Sequence, residues 1–181
     1  MCNTSIVPLS QRDSRWAKLA LGNSSVSTIG AYGCLITSMA MLAGLTPDVL
    51  NARMTPRGFR PAGSDCPACA ATFDVQKFAP SAPALDRATA SYPTRPFPRP
   101  EITQLVAHLR EGRAAILEVD MVPYPKNNHL DQHFVLAVAA YGMAGAEQIV
   151  INDPWFGDQT TLTPRYGVTL SAALVRAIYY R

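Results

Sequence analysis

Residues 28–44 read Thr-Ile-Gly-Ala-Tyr-Gly-Cys-Leu-Ile-Thr-Ser-Met-Ala-Met-Leu-Ala-Gly and contain the most hydrophobic helix that the sequence predicts. From residue 35 to residue 43 the side chains are apolar or small all round the helix, with no polar face. A helix of that kind is buried on every side. Gly44 is a typical residue for the helix end, because glycine readily adopts the left-handed conformation. The stretch therefore predicts a buried helix that starts with Cys34.

Cys34 stands where a nucleophilic thiol would be assisted by the backbone. The partial positive charge at a helix N-terminus favours a thiolate over a thiol. Gly33 lets the chain approach closely, Tyr32 can form a wall of the site, and the N–H of Cys34 would point to a developing oxyanion. Its position alone leaves a second interpretation equally open, in which Cys34 is a small core residue.

Three histidines could serve as the base for such a thiol. His108 lies between Ala107 and Leu109 on a predicted helix, which indicates a surface or structural side chain. His129 lies in a polar stretch and is predicted to be exposed. His133 stands where a polar loop becomes the apolar strand of residues 134–138, so it would be held rigidly at the edge of a cleft. The alternative for His133 is a plain strand-edge histidine.

Asp153 is the candidate third group that would orient the imidazole of His133. It ends the strand that follows, and the 20 residues between the two fit a hairpin of two strands with a short turn. Both side chains would then lie at the same open end. Asp-Pro is also an ordinary strand-ending turn signal. Asn152 is the near alternative, but alternation along the strand would send it to the other face.

The order of the predicted elements indicates an α+β fold. Helices are predicted at about 34–43, 47–54 and 100–111, followed by strands at about 114–119, 133–141, 148–152, 159–162 and 175–180, the last after a short helix or turn from residue 171. Residues 55–100 are rich in proline, glycine and alanine and show no sustained period, so we interpret them as a long excursion with short elements. The length of 181 residues suits a single domain over residues 1–181.

Four stretches of the chain show a combined resemblance to one family. They are residues 11–17 (Gln-Arg-Asp-Ser-Arg-Trp-Ala), 28–30 with 32–34 (Thr-Ile-Gly and Tyr-Gly-Cys), 133–136 (His-Phe-Val-Leu) and 151–154 (Ile-Asn-Asp-Pro). Their order and spacing resemble the C39-like branch of the papain-like cysteine peptidases. The resemblance implies a papain-like fold, in which the N-terminal helix with the cysteine packs on an antiparallel sheet that carries the histidine and the aspartate.

The same resemblance implies roles for four residues. Cys34, His133 and Asp153 match the catalytic set, and Gln11 matches the glutamine whose side chain completes the oxyanion hole. The chain departs from the pattern in one respect. Many papain-like enzymes place this glutamine about six residues before the cysteine, where this chain has Thr28, whereas Gln11 would have to fold back from 23 residues upstream.

Composition and charge argue against several classes of function. The net charge is +3 and the basic residues are scattered, so the sequence does not predict nucleic-acid binding. No run approaches the ~20 apolar residues of a membrane span, and no signal peptide is visible. We therefore expect a soluble chain, which could still act outside the cell if it is carried there by an assembly such as a virion.

The remaining cysteines leave alternatives open. Cys66 and Cys69 have the two-residue spacing of a redox or metal pair, and Cys2 is the one further spare thiol. A zinc site needs four ligands, and the third and fourth are not evident. A disulfide, a partial metal or cluster site completed by a partner, and two free thiols all remain possible, and we expect no cofactor and no metal at the site of Cys34.

Three functions are compatible with this sequence. The first is a cysteine peptidase that cleaves a protein precursor or the peptide cross-links of bacterial peptidoglycan, carried by a phage tail or a secretion apparatus. The second is a non-catalytic structural module of such an assembly that retains the fold. The third is a thiol-dependent transferase. The partners would be a peptide or peptidoglycan substrate and, in an assembly, other subunits.

Overall fold

The computed structural model describes residues 5–93, 96–121, 131–167 and 169–181. The elements follow one another in the order α1 (Ile29–Tyr32), α2 (Cys34–Ala43), α3 (Pro47–Met54), a 3₁₀ helix (Val75–Lys77), β1 (Leu85–Ala88), α4 (Arg99–Arg110), β2 (Ala115–Asp120), β3 (Gln132–Tyr141), β4 (Gln148–Asp153), β5 (Asp158–Thr161), α5 (Leu162–Tyr166), α6 (Leu170–Ala173) and β6 (Leu174–Tyr180). His129 lies outside the described residues, and so does Cys2.

The strands form one antiparallel sheet in the order β1-β6-β2-β3-β4-β5. Helices precede most of the sheet in the chain, so the structure confirms the predicted α+β class. β3 is the longest strand and has neighbours on both sides, and eight consecutive residues of it are buried. A central strand of this kind is covered on both faces, which explains why residues 134–140 are all apolar.

Helices cover both faces of the sheet and create two cores. Alternate residues of β3 divide between them, with Phe134, Leu136 and Val138 in the core below α2 and α3. Val135 and Ala137 belong to the opposite core, together with residues of α4, α5 and α6. Strand alternation thus gives each face its own apolar set.

α2 is the buried helix that the sequence predicts, with Ile36, Met39 and Ala40 almost completely enclosed. Gly44 follows it in the left-handed conformation, at φ 66°, as expected for a glycine at a helix end. The hydroxyl of Ser38 donates to the carbonyl oxygen of Phe134 at 3.3 Å. This bond connects the second turn of α2 to the start of β3. It brings Cys34, one turn earlier in α2, towards His133, the residue before Phe134.

The excursion of residues 55–100 contains two elements that the sequence did not define. The 3₁₀ helix packs Val75 into the first core, and β1 adds an edge strand against β6. Cys66 and Cys69 form a disulfide, which selects one of the three alternatives left open by the sequence. In the parts of the chain that the structure describes, no three His, Cys, Asp or Glu side chains group as metal ligands would.

The sequence left two roles open for His108, as a surface side chain or as a structural one. His108 is buried, with its ring nitrogen Nε2 at 3.1 Å from the carbonyl oxygen of Ala114, so it is a structural residue rather than a surface one.

Within the described ranges, no single helix is long and apolar enough to cross a membrane; only α2 and α3, bent by 102° relative to each other, reach that length and composition together.

Gly33 sits at the tight junction between α1 and α2. A Cβ atom added there would lie 2.4 Å from the carbonyl oxygen of Ile29, which belongs to the backbone and cannot move aside cheaply. We expect Gly33→Ala to lower the free energy of unfolding by about 1–3 kcal/mol, the usual cost of overpacking. Urea denaturation measures this loss. Gly63→Ala is the matched control, because nothing lies within 4 Å of a Cβ at Gly63. Equal stability of the two variants would contradict the steric interpretation.

Candidate active site

Cys34 is the first residue of α2 and is partly buried. Its N-cap residue is Gly33, which has no side chain and therefore makes no capping hydrogen bond. The positive end of the α2 dipole is thus not neutralised by an N-cap side chain. Among the described residues Cys34 is the one free cysteine.

His133 lies almost fully buried at the start of β3, with 2% of its surface exposed. Its ring nitrogen Nε2 is 3.0 Å from Oδ1 of Asp153. Since Nε2 is taken, Nδ1 is the ring nitrogen left to face Cys34, whose hydrogen bond and charge both act to raise the pKa of His133. The structure therefore places His133 against Asp153 and puts Cys34 close enough to act on the same imidazole.

The environment of His133 favours its charged form. Burial alone lowers the pKa of a histidine, because the imidazolium loses hydration. Hydrogen bonds to Asp153 and Cys34, with the charges of both groups, outweigh that effect and raise the pKa of His133 to about 9. His133 therefore holds its proton firmly at neutral pH, where an ordinary histidine has lost most of it.

Asp153 is completely buried at the end of β4 and still ionised. Burial raises the pKa of a carboxyl group, but hydrogen bonds from His133, Tyr166 and Arg165 lower the pKa of Asp153 below its ordinary value. The backbone N–H of Trp155 adds a further bond to Oδ1 at 3.0 Å. A buried carboxylate with this many donors is fixed in place and keeps its charge.

Asn152, the alternative to Asp153, has other partners. Its side-chain amide donates to the carbonyl oxygen of Ile6 at 2.7 Å, and its oxygen accepts from the Gln159 side chain at 2.8 Å. Alternation along β4 turns it away from His133, as the sequence predicted. Asn152 therefore binds the N-terminal segment to the sheet and does not orient the imidazole.

Gln11 folds back to the ends of the elements that carry the other three residues. Its backbone N–H donates to the carbonyl oxygen of Pro154 at 2.8 Å, and Nε2 donates to the carbonyl oxygen of Gly30 at 3.1 Å. Gln11 thus links the turn after Asp153, through its backbone, to the helix before Cys34, through its side chain. Gly30 takes one of the two protons on Nε2, and the second is the one available to a ligand.

Sequence reasoning missed the residues of α5 that hold Asp153. Tyr166 donates its hydroxyl to Oδ2 of Asp153, and Arg165 donates to the same oxygen at 3.0 Å. Arg165 also binds both oxygens of Asp158, at 2.6 and 2.8 Å. No motif marks these residues in the sequence.

The arrangement suits acyl transfer through a covalent thioester. It supplies a thiol at a helix N-terminus, a buried imidazole in contact with it and an ionised carboxylate that fixes the imidazole. Comparison with protein-family models and with curated proteins found no match to this chain. The chemical interpretation therefore depends on the geometry of the site and on the motifs in the sequence.

The raised pKa of His133 makes the stability of the fold depend on pH. The folded pKa of about 9 exceeds the ordinary value of 6.5, so this stabilisation is complete below pH 6.5 and is lost as the pH rises through 9. At about 1.4 kcal/mol per pKa unit, the stabilisation of the folded state by protonated His133 amounts to roughly 3 kcal/mol. We expect wild-type protein to exceed His133→Gln in unfolding free energy by a margin that shrinks between pH 6.5 and 9.5. Urea titrations across this range measure the margin, and a constant value would contradict the assignment.

Proposed function

We propose that the chain is a cysteine peptidase that hydrolyses peptide bonds through Cys34, His133 and Asp153. The observation that carries the proposal is the fully buried Asp153–His133 hydrogen bond of 3.0 Å, with the thiol of Cys34 in contact with the same imidazole. A buried ion pair is rarely required for stability, because apolar residues of similar volume often serve a fold as well. Its position against a thiol at a helix N-terminus supports a catalytic use.

The reaction proceeds in two halves. In the reacting form the proton on Nδ1 of His133 is the one taken from the thiol, and the sulfur of Cys34, now a thiolate, bonds to the carbonyl carbon of the substrate. The imidazolium then protonates the leaving nitrogen, the C–N bond breaks, and an acyl-enzyme remains. Water, deprotonated by His133, adds to the thioester; the C–S bond breaks, a carboxylate leaves, and the thiol is restored. Asp153 keeps the imidazole oriented throughout.

The negative charge on the carbonyl oxygen needs donors in the intermediate. The backbone N–H of Cys34 is one donor, and the second proton on Nε2 of Gln11 is the other. The bond from Nε2 to Gly30 supports this role because it orients the amide before the substrate arrives. Preorganised donors of this type contribute the largest single share of stabilisation in many acyl-transfer enzymes.

We extend the proposal to a substrate and a setting. The motifs that resemble C39-like peptidases support a papain-like enzyme, and they favour peptide cross-links of bacterial peptidoglycan as the substrate, with a phage tail or secretion apparatus as the carrier. This narrower assignment depends on the sequence motifs and not on the geometry. Digestion of purified peptidoglycan, with mass spectrometry of the released peptides, tests it separately from cleavage of a general peptide library.

Loss of the thiol is the direct test of the proposed chemistry. We expect Cys34→Ser to lower peptide cleavage by at least about a thousandfold, because an alcohol is not ionised by this site as a thiol is. The assay measures new peptide ends by mass spectrometry, and the circular dichroism spectrum checks that the fold is kept. Cys2→Ser is the matched control, since it replaces a different cysteine with the same residue, and it should keep full activity.

Two outcomes of that assay would redirect the assignment. Equal activity of wild type and Cys34→Ser would contradict the proposal, and a wild type that cleaves no library peptide or peptidoglycan would favour the structural module. Cleavage in ¹⁸O-labelled water separates hydrolysis from transfer, because hydrolysis places one labelled oxygen in the new carboxylate. Release of unlabelled amide products with an added amine would indicate the transferase.

The raised pKa of His133 also predicts the alkaline limit of activity. The imidazolium must give its proton to the leaving nitrogen, and it loses that proton as the pH rises through about 9. We expect kcat/KM to decline above pH 9, approaching a tenfold fall per pH unit. Initial rates with a substrate that does not titrate between pH 7 and 10.5 measure the profile. A rate that keeps rising through pH 10 would be incompatible with His133 as the acid.

A further inference from the structure

The carboxylate of Asp153 divides its hydrogen bonds between its two oxygens. Oδ1 accepts from Nε2 of His133 and from the backbone N–H of Trp155, both at 3.0 Å. Oδ2 accepts from Tyr166 and from Arg165. The two α5 residues therefore occupy only the oxygen that His133 does not use. This division fixes the rotation of the carboxylate as well as its position.

Arg165 is itself anchored from the other side. Its guanidinium forms a two-point contact with Asp158 of β5, and it lies over the ring of Phe156 at 4.2 Å from the ring centre. Bidentate contacts of this kind restrict a guanidinium to one orientation. We call Arg165, Tyr166 and Asp158 the α5 clamp.

We propose that the α5 clamp positions the carboxylate of Asp153. By holding Oδ2, Arg165 and Tyr166 keep Oδ1 on Nε2 of His133 and so set the pH range in which Cys34 reacts. The proposal rests on the proposed function, because it assumes that Cys34 and His133 form the reacting pair. Arg165 and Tyr166 act through Asp153 and are positioning residues, whereas Asp158 holds Arg165.

The direction in which the pKa of His133 changes distinguishes the positioning of Asp153 from a direct effect of the charge on Arg165. Among the described residues, the titratable groups that act on His133 are Cys34 of α2 and Asp153 of β4, and the α5 clamp lies behind Asp153. Arg165 is a cation near an imidazolium, so loss of its charge alone would raise the pKa of His133. If the clamp works by position, its loss frees the carboxylate to rotate away from Nε2, and the pKa of His133 falls.

The test uses two variants that keep the charge and one that removes it. Tyr166→Phe keeps the volume and the charges and removes one hydrogen bond to Oδ2. Arg165→Met removes the cation, and Arg165→Lys restores it without the two-point contact to Asp158. The matched controls are Tyr180→Phe, which removes a buried hydroxyl bonded to the carbonyl oxygen of Phe73 at 2.8 Å, and Arg99→Met, which removes an ion pair to the buried Glu147.

The first readout is the pKa of His133, measured by an NMR titration of its ring nitrogens. The signals of His133 are identified by their absence from the spectrum of His133→Gln. We expect Tyr166→Phe and Arg165→Met each to lower the pKa of His133 by about one unit, a tenfold change in its proton affinity. Arg165→Lys should recover part of the shift, and both controls should leave it unchanged. An unchanged or raised pKa in Tyr166→Phe and Arg165→Met would overturn the proposal.

The second readout is alkylation of Cys34 by iodoacetamide between pH 5 and 10, in a Cys2→Ser background. The alkylation rate at pH 6 should fall about tenfold in the clamp variants, in step with the proton affinity of His133. Amide-region NMR spectra identify variants that fail to fold, and the isosteric Tyr166→Phe alone then decides. Neither readout needs a substrate. A chain that cleaves nothing, yet shows these shifts, would refute the peptidase and leave the clamp intact.

Discussion

The hydrogen bond between His133 and Asp153 is the interaction on which the rest of the site depends. Both side chains are buried, and each would be costly to bury without the other. The antiparallel register makes the bond possible, because β3 and β4 pair Leu136 with Asn152 and so bring the start of one strand to the end of the other. Two residues that are distant in the chain become neighbours on one face of one sheet.

Much of this could be predicted because the signals were local. The length and apolarity of residues 35–43 were sufficient to define α2, and Gly44 marked its end. The hairpin of β3 and β4 followed from two apolar runs and a glycine-containing turn, so His133 and Asp153 could be placed at one end of it. Alternation also separated Asp153 from Asn152, which in the structure binds Ile6 and Gln159.

The features that escaped prediction depend on tertiary contacts. β1 is short and mostly exposed, and it becomes a strand only because β6 offers an edge. The disulfide of Cys66 and Cys69 depends on how the excursion bends, which the two-residue spacing cannot specify. Arg165 lies in a segment without a motif, and its importance appears only when α5 packs behind β4. The backfolding of Gln11 was implied by resemblance and not by any local pattern.

The order of these parts along the chain has a consequence for biosynthesis. Cys34 is synthesised before its partners: His133 follows 99 residues later, and Asp153 with its supporting α5 residues comes later still. Non-local strand pairs form slowly, because the loop between them must be closed first. A nascent chain therefore carries Cys34 without its partner until at least 99 further residues have been added, and the pair forms only when the sheet assembles. The fold makes the Cys34–His133 pair a late product of folding, because the pair requires both α2 and the hairpin of β3 and β4.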